Sequence, residues 1–213
     1  MTLGIHDLPL YLASGILLNI APGPDSLLVT MRSAAQGWRA GSMAALGVAS
    51  GVFVHISAAA LGVSALIAAS ASAFAILKYA GAAYLVYIGV RMVFAKSSAA
   101  GLVGEPPAAA LTYRRIYVQG FLTNALNPKV ALFFLAFVPQ FIASDSTAKA
   151  LAFVLLGLIF DFNGLLWCVF LAWFVARVRA SMRPSERARR WFSRVIGGLF
   201  VALGVRLALA RAS

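Results

Sequence analysis

Two short stretches of this chain set charged and carboxamide side chains beside helix-breaking prolines. One is Asn19-Ile-Ala-Pro22-Gly23-Pro24-Asp25 and the other is Asn124-Ala-Leu-Asn127-Pro128-Lys129. Lys129 offers a cation to a carboxylate, and Asp25 offers an anion to an ammonium group. The carboxamides of Asn19, Asn124 and Asn127 either contact cargo or cap free backbone groups. Asp161 lies far along the chain from both stretches and from every expected loop. At lipid depth the neutral acid costs less than the carboxylate, so Asp161 reads as a proton carrier, with Asp25 as a second candidate. A structural hydrogen bond with Asn163 is the other reading of Asp161. His55 sits in an uncharged run and serves either as a hydrogen-bonded packing residue or as a proton relay.

The chemistry depends on where these residues lie. Both stretches interrupt hydrophobic segments long enough to cross a bilayer. Proline lacks a backbone N–H and clashes with the preceding turn, so Pro22, Pro24 and Pro128 break the helices that contain them. In lipid the freed polar groups must be satisfied by protein, cargo or water. The breaks correspond: Gly15-x-x-x-Asn19 and Gly120-x-x-x-Asn124 each precede a proline. Interrupted spans at matching positions in two halves point to a transporter's binding site. Asp25 and Lys129 should each occupy the first turn of a restarted helix. A carboxylate there complements the positive end of the helix, whereas an ammonium opposes it. Lys129 therefore calls for an anion, which could be Asp25, Asp161 or a cargo carboxylate; snorkelling to an interface is the alternative. The two broken helices are expected to meet near the midplane, with Pro22 and Gly23 opening the backbone around the site.

Composition sets the class. Of 213 residues, 62% are hydrophobic and 11% charged, against about 25% charged in soluble domains. Mean hydropathy is +0.90. These values describe an integral membrane protein whose principal partner is the lipid bilayer. The net charge of +12 would suggest nucleic acid in a soluble chain. Here the cations fall in short loops between apolar segments, so no nucleic-acid partner is expected. The single cysteine, Cys168, excludes an intrachain disulfide, a thiolate metal site and a dithiol relay. Two histidines, His6 and His55, do not make a metal site, and no cofactor is expected. No nucleophile stands with a base, so the chain does not read as an enzyme. The first residues lack the basic region of a cleavable signal peptide, so the first span is expected to remain.

The hydropathy pattern predicts an all-α membrane protein with six transmembrane helices in a single integral domain, residues 1–213. Spans are expected at about 8–30, 41–68, 74–95, 113–141, 148–176 and 191–210. A short loop over 31–40 would carry Arg32 and Arg39, a Ser/Ala connector would fill 69–73, and 177–190 would be a basic loop. The Gly/Pro-bearing linker at about 96–112 separates repeat one, about 1–95, from repeat two, about 113–213. Three spans per half make the repeats inverted, with helices 1 and 4 broken at Pro22–Pro24 and Asn127–Pro128. Gly89-Val90-Arg91 and Gly204-Val205-Arg206 are a second echo between the halves. Thirteen Lys and Arg residues fall on one side of this topology and four on the other. The richer side should be cytoplasmic and both termini periplasmic. Gly47-x-x-x-Gly51 predicts close helix packing within the chain, or else the face of a homodimer.

Taken in order, these motifs resemble the LysE/RhtB family of bacterial inner-membrane amino-acid exporters along almost the whole chain. The likeness rests on Pro22-Gly23-Pro24-Asp25 with Leu27-Leu28-Val29, Gly37-x-x-x-Gly41, Ala45-Leu46-Gly47 and Gly51-x-x-x-His55. It continues through Leu77-Lys78-Tyr79-x-Gly81-Ala-Ala-Tyr84, Gly120-Phe-Leu-Thr-Asn124-x-x-Asn127-Pro128-Lys129, and Phe133-Phe134 to Pro139-Gln140-Phe141. The Pro-Gly-Pro-Asp form is similar to the RhtB branch. That resemblance implies a secondary transporter exporting small neutral amino acids of the threonine, homoserine or leucine type by proton antiport. Export of basic amino acids or other small amines, or passage through a passive channel, are the alternatives.

Overall fold

The structure, a computed structural model, describes residues 3–63, 71–94, 110–178 and 186–209. Among them the regular structure is helical, and the one extended pairing is a single bridge between Ile5 and Ile142. The helices are α1 Leu8–Ile20, α2 Pro24–Gln36, α3 Trp38–Ala58, α4 Ala71–Phe94, α5 Tyr113–Ala125, α6 Pro128–Leu132, α7 Lys149–Val178 and α8 Glu186–Leu209. Wide turns extend α3 over Ala59–Val63 and α6 over Phe133–Phe137, and a tight turn follows at Val138–Phe141. Two helical runs, Trp38–Gly62 and Lys149–Val178, are long and apolar enough to cross a membrane. The α1–α2 pair and the α5–α6 run add two more if each bent pair is one span. The outer face of α7 is apolar too, with Phe162 62% and Leu166 54% exposed, as a lipid-facing surface requires. The chain is an all-α membrane protein.

The two breaks lie where the prolines demand. At Ala21 the backbone N–H closes the last turn of α1 on Leu17 at 2.9 Å. Pro22 and the extended Gly23 (φ −160°) carry the chain to Pro24, which opens α2 with its fixed φ and no missing donor. The axis bends by 49°. At the second break α5 ends at Ala125, Asn127 caps the backbone N–H of Lys129 at 3.0 Å, and Pro128 starts α6; the bend is 43°.

The loop expected over 31–40 is instead mostly helix. Once α2 has restarted, nothing breaks it before Gly37, whose φ of +85° is the left-handed turn that glycine allows. Arg32 is therefore on a helix and buried, not in a loop. For similar reasons α4 begins at Ala71 inside the expected connector, and α8 begins at Glu186 inside the expected basic loop. Most of the expected linker, residues 95–109, and residues 179–185 of that loop lie outside the described residues.

Small residues let the helices touch backbone to backbone. On α3, a methyl group on Gly47 would overlap the carbonyl of Tyr117, and one on Gly51 would stand 2.7 Å from the carbonyl of Phe121. Gly120 of α5 faces the Ala44 carbonyl in return. The Gly47-x-x-x-Gly51 surface is thus consumed within the chain and is not free to be a dimer face. The α4–α8 interface is reciprocal. Gly89 packs on Gly197 and Val201, and Gly204 packs on Ala82 and Val86. The numbering shift that takes Gly89 to Gly204 also takes Ala82 to Gly197 and Val86 to Val201. The two helices are antiparallel, since rising numbers on one meet falling numbers on the other.

Aromatic rings lock the segment after α6 into the core. Phe133 lies 4.9 Å from Phe160 of α7, Phe137 lies 5.1 Å from Phe141, and Phe141 lies 5.3 Å from Tyr11 of α1. Tyr11 also donates to the Leu156 carbonyl at 2.6 Å, tying α1 to α7. These contacts bring the two broken helices to the same place.

Candidate functional site

The end of α1, the start of α2, the end of α5 and the start of α6 converge on one cleft between α3 and α7. Asn19, Asp25, Asn124, Lys129 and Asp161 all line it. The cleft is narrow, with a cavity volume of about 30 Å³. Ala45, Val48, Ala49 and Val52 of α3 form one apolar wall, and Phe160, Leu165 and Cys168 of α7 form the opposite one.

Lys129 is 7% exposed and does not snorkel. Its backbone N–H lies in the first turn of α6, but its ammonium reaches across to the C-terminal end of α1. There Nζ donates to the carbonyls of Leu18 at 3.0 Å and Ala21 at 3.2 Å. Those carbonyls are free because α1 stops, and the negative end of a helix favours a cation. An ammonium has three hydrogens, so one remains for the cleft. Gly23 leaves the passage open, since a methyl there would stand 2.9 Å from Nζ.

Asp25 sits in the first turn of α2, where the dipole favours a carboxylate. Its Oδ2 accepts from the amides of Asn124 and Asn127, both at 2.9 Å. Its Oδ1 is buried with no partner among the described residues, and so is Oδ1 of Asn124. No ion pair joins Asp25 and Lys129; among the described residues the one pair within 4.0 Å is His6–Asp7. Two acceptors and one donor are thus left open around the same cleft. A buried polar group left unpaired is expensive, and such groups commonly await a ligand or water.

The remaining sequence candidates are placed as follows. Asp161 is remote in sequence but not in space, for it faces the cleft with Gly164, Leu165 and Cys168, one stripe of α7. Asn163 donates to Ile159 of its own helix at 2.9 Å, not to Asp161. Asn19 donates to the Phe160 carbonyl at 3.3 Å and so bridges α1 to α7. Asn127 stands behind Asp25 and also caps α6. His55 stands outside the cleft; its Nε2 donates to the Asn124 carbonyl at 2.9 Å and its ring stacks on Phe134. Pro22 is exposed at the bend. Sequence reasoning did not single out the Leu18 and Ala21 carbonyls, Ser26, Gly164 or Ala49 of α3. Helix periodicity around Asp161 would have found Gly164 and Cys168; no sequence signal marks the carbonyls.

A family model described as LysE type translocator matches residues 16–211. The uncharacterized membrane protein PA4757 of Pseudomonas aeruginosa is 36% identical, with 100% of this chain and 99% of that protein covered. The uncharacterized membrane protein YrhP of Bacillus subtilis is 31% identical over 97% of this chain and 100% of its own length. The leucine efflux protein of Salmonella typhimurium is 28% identical, with 96% of each chain covered. No solved structure matches the chain.

Proposed function

The chain belongs to the LysE type translocator family, and from that premise we propose that it exports small neutral amino acids in exchange for protons. The observation that carries this reading is the set of open groups around the cleft. The third hydrogen of Lys129 takes the cargo carboxylate. Oδ1 of Asp25 and Oδ1 of Asn124 take the ammonium. The side chain rests on Ala45, Val48, Ala49 and Val52. These are the donors and acceptors of a zwitterion, and the walls are apolar. The narrow interior means that cargo enters through a state with α3 and α7 further apart.

Asp161 is spare in this scheme, and that makes it the proton carrier. It shares the cleft, and among the described residues no hydrogen bond ties up its carboxyl. A spare carboxylate is also what a basic cargo side chain would use, and this favours export of basic amino acids as the second reading. The chain is further proposed to sit in the bacterial inner membrane as two inverted three-helix repeats, about 1–95 and about 113–213. The reciprocal glycine contacts of α4 and α8 support that symmetry.

Counterflow in proteoliposomes against twenty amino acids, with and without an imposed pH difference, tests the reading. Small neutral amino acids should exchange and saturate, and a pH difference should drive them uphill. Lys129→Met should reduce uptake about 100-fold while inserting normally, the loss expected for a charge-assisted contact. Asp161→Asn should keep counterflow and lose only the pH-driven component. Exchange of lysine or arginine alone would favour the second reading. Flux that neither saturates nor responds to the gradient would identify a passive channel.

A further inference from the structure

Arg32 has no part in the scheme above, yet it is one of the more exacting groups in the protein to bury. It is 5% exposed on the inner face of α2. Its Nη2 donates to Oε1 of Gln119 on α5 at 2.8 Å, whereas Nε and Nη1 are buried with no partner among the described residues. No carboxylate of the described residues lies within 4.0 Å of it. A guanidinium shielded from water and facing a neutral amide lacks the anion that normally accompanies it.

Its position says which anion. Arg32 follows Asp25 by seven residues, two helical turns, so both lie on one face of α2 with Val29 between them. The rise is about 10 Å, too far for one small amino acid to touch both. Arg32 is displaced toward the end of the molecule where Gln36 of α2 pairs with the Leu111 backbone and where Arg39, Arg114 and Arg115 are exposed. The Arg32–Gln119 contact closes the seam between α2 and α5 between that basic end and the cleft.

We propose that Arg32 is a second carboxylate-receiving station, on the basic side of the cleft, uncovered when α2 and α5 separate at the Gln119 contact. It rests on the exporter reading above. Cargo arriving from the basic end meets the planar N–H fork of Arg32 first, then moves two turns along α2 to Lys129 and Asp25. Gln119 holds the guanidinium in place when the seam is shut, and a neutral amide gives way to a carboxylate where a charged partner would not.

The test uses Gln119→Glu, which is isosteric and hands Arg32 a permanent anion. Half-saturation for a neutral amino acid is measured from each face, in right-side-out and in inverted vesicles. Entry from the basic face should need about tenfold more cargo, because the new carboxylate competes for Arg32, while entry from the opposite face stays unchanged. The melting temperature should hold or rise. Arg32→Gln should give the same one-sided loss, and Arg32→Lys should restore part of it. If Arg32 were merely structural, Gln119→Glu would stabilise the protein and leave both half-saturations alone. That outcome, or an equal change on both faces, overturns the assignment while wild-type transport stands. Absence of amino-acid transport by the wild type overturns the exporter reading, and this inference with it.

Discussion

At the scale of single residues, the site depends on asymmetry in who is satisfied. Lys129 has two of its three hydrogens committed to α1, and Asp25 has one oxygen committed to two amides. Their committed bonds hold them in position, and their open atoms are left for the cleft. Asn127 exposes this division, since Oδ1 caps Lys129 N while Nδ2 serves Asp25. Asn127→Ala removes both bonds and should cost about 1 kcal/mol or more as a lost cap. Asn127→Asp keeps the cap but loses the amide donor and sets a second carboxylate against Oδ2 of Asp25, a like-charge contact. The aspartate variant should therefore transport worse than the alanine variant, because a repelling carboxylate stands where an amide donated to Asp25. Uptake measured for both variants checks this ordering, and better transport by the aspartate variant would contradict it.

Among elements, the broken helices are placed by their partners as much as by their prolines. α5 approaches α3 so closely that Gly120 meets the Ala44 carbonyl and stands against Val48 N and Gly47. Gly120→Ala should force the helices apart and cost about 1–3 kcal/mol, as overpacking does. Asn124 lies four residues on and holds Asp25, so the half-saturation should rise along with the loss in melting temperature. A detergent-phase melt and an uptake curve on one preparation read both effects. The breaks themselves were legible in the sequence, because Pro22, Pro24 and Pro128 act through local sterics. Both breaks do line one cleft, but the anion expected beside Lys129 is not among its hydrogen-bond partners, because the Leu18 and Ala21 carbonyls take its ammonium instead. The loop expected at 31–40 was not helix by any charge count, for Arg32 is hidden by tertiary contact with Gln119 rather than by local pattern. The carboxyl end of α1 as the seat of Lys129 was equally invisible, because carbonyls have no residue type.

For the whole molecule, the governing feature is a difference between its two ends. α1 begins beside the turn that follows α6, where the His6 N–H meets the Phe141 carbonyl and Ser146 bonds Leu3. That end exposes Asp7 and Asp145. At the other end α2 meets α3 and α7 finishes, and there Arg39 lies over Trp38 at 5.8 Å and Arg177 over Trp173 at 5.4 Å. Arginines on tryptophans suit a membrane interface, and an excess of Arg and Lys marks the cytoplasmic one. The cleft lies between these ends, so its orientation decides whether Arg32 faces the supply of cargo or the exit. Single cysteines at Arg39 and at Asp145, in a chain whose Cys168 is replaced by serine, test the orientation with a membrane-impermeant maleimide on intact cells. Asp145→Cys should label at once, and Arg39→Cys should label only after the membrane is opened. The reverse pattern would turn the molecule over, place Arg32 on the release side and make its carboxylate station an exit rather than an entrance.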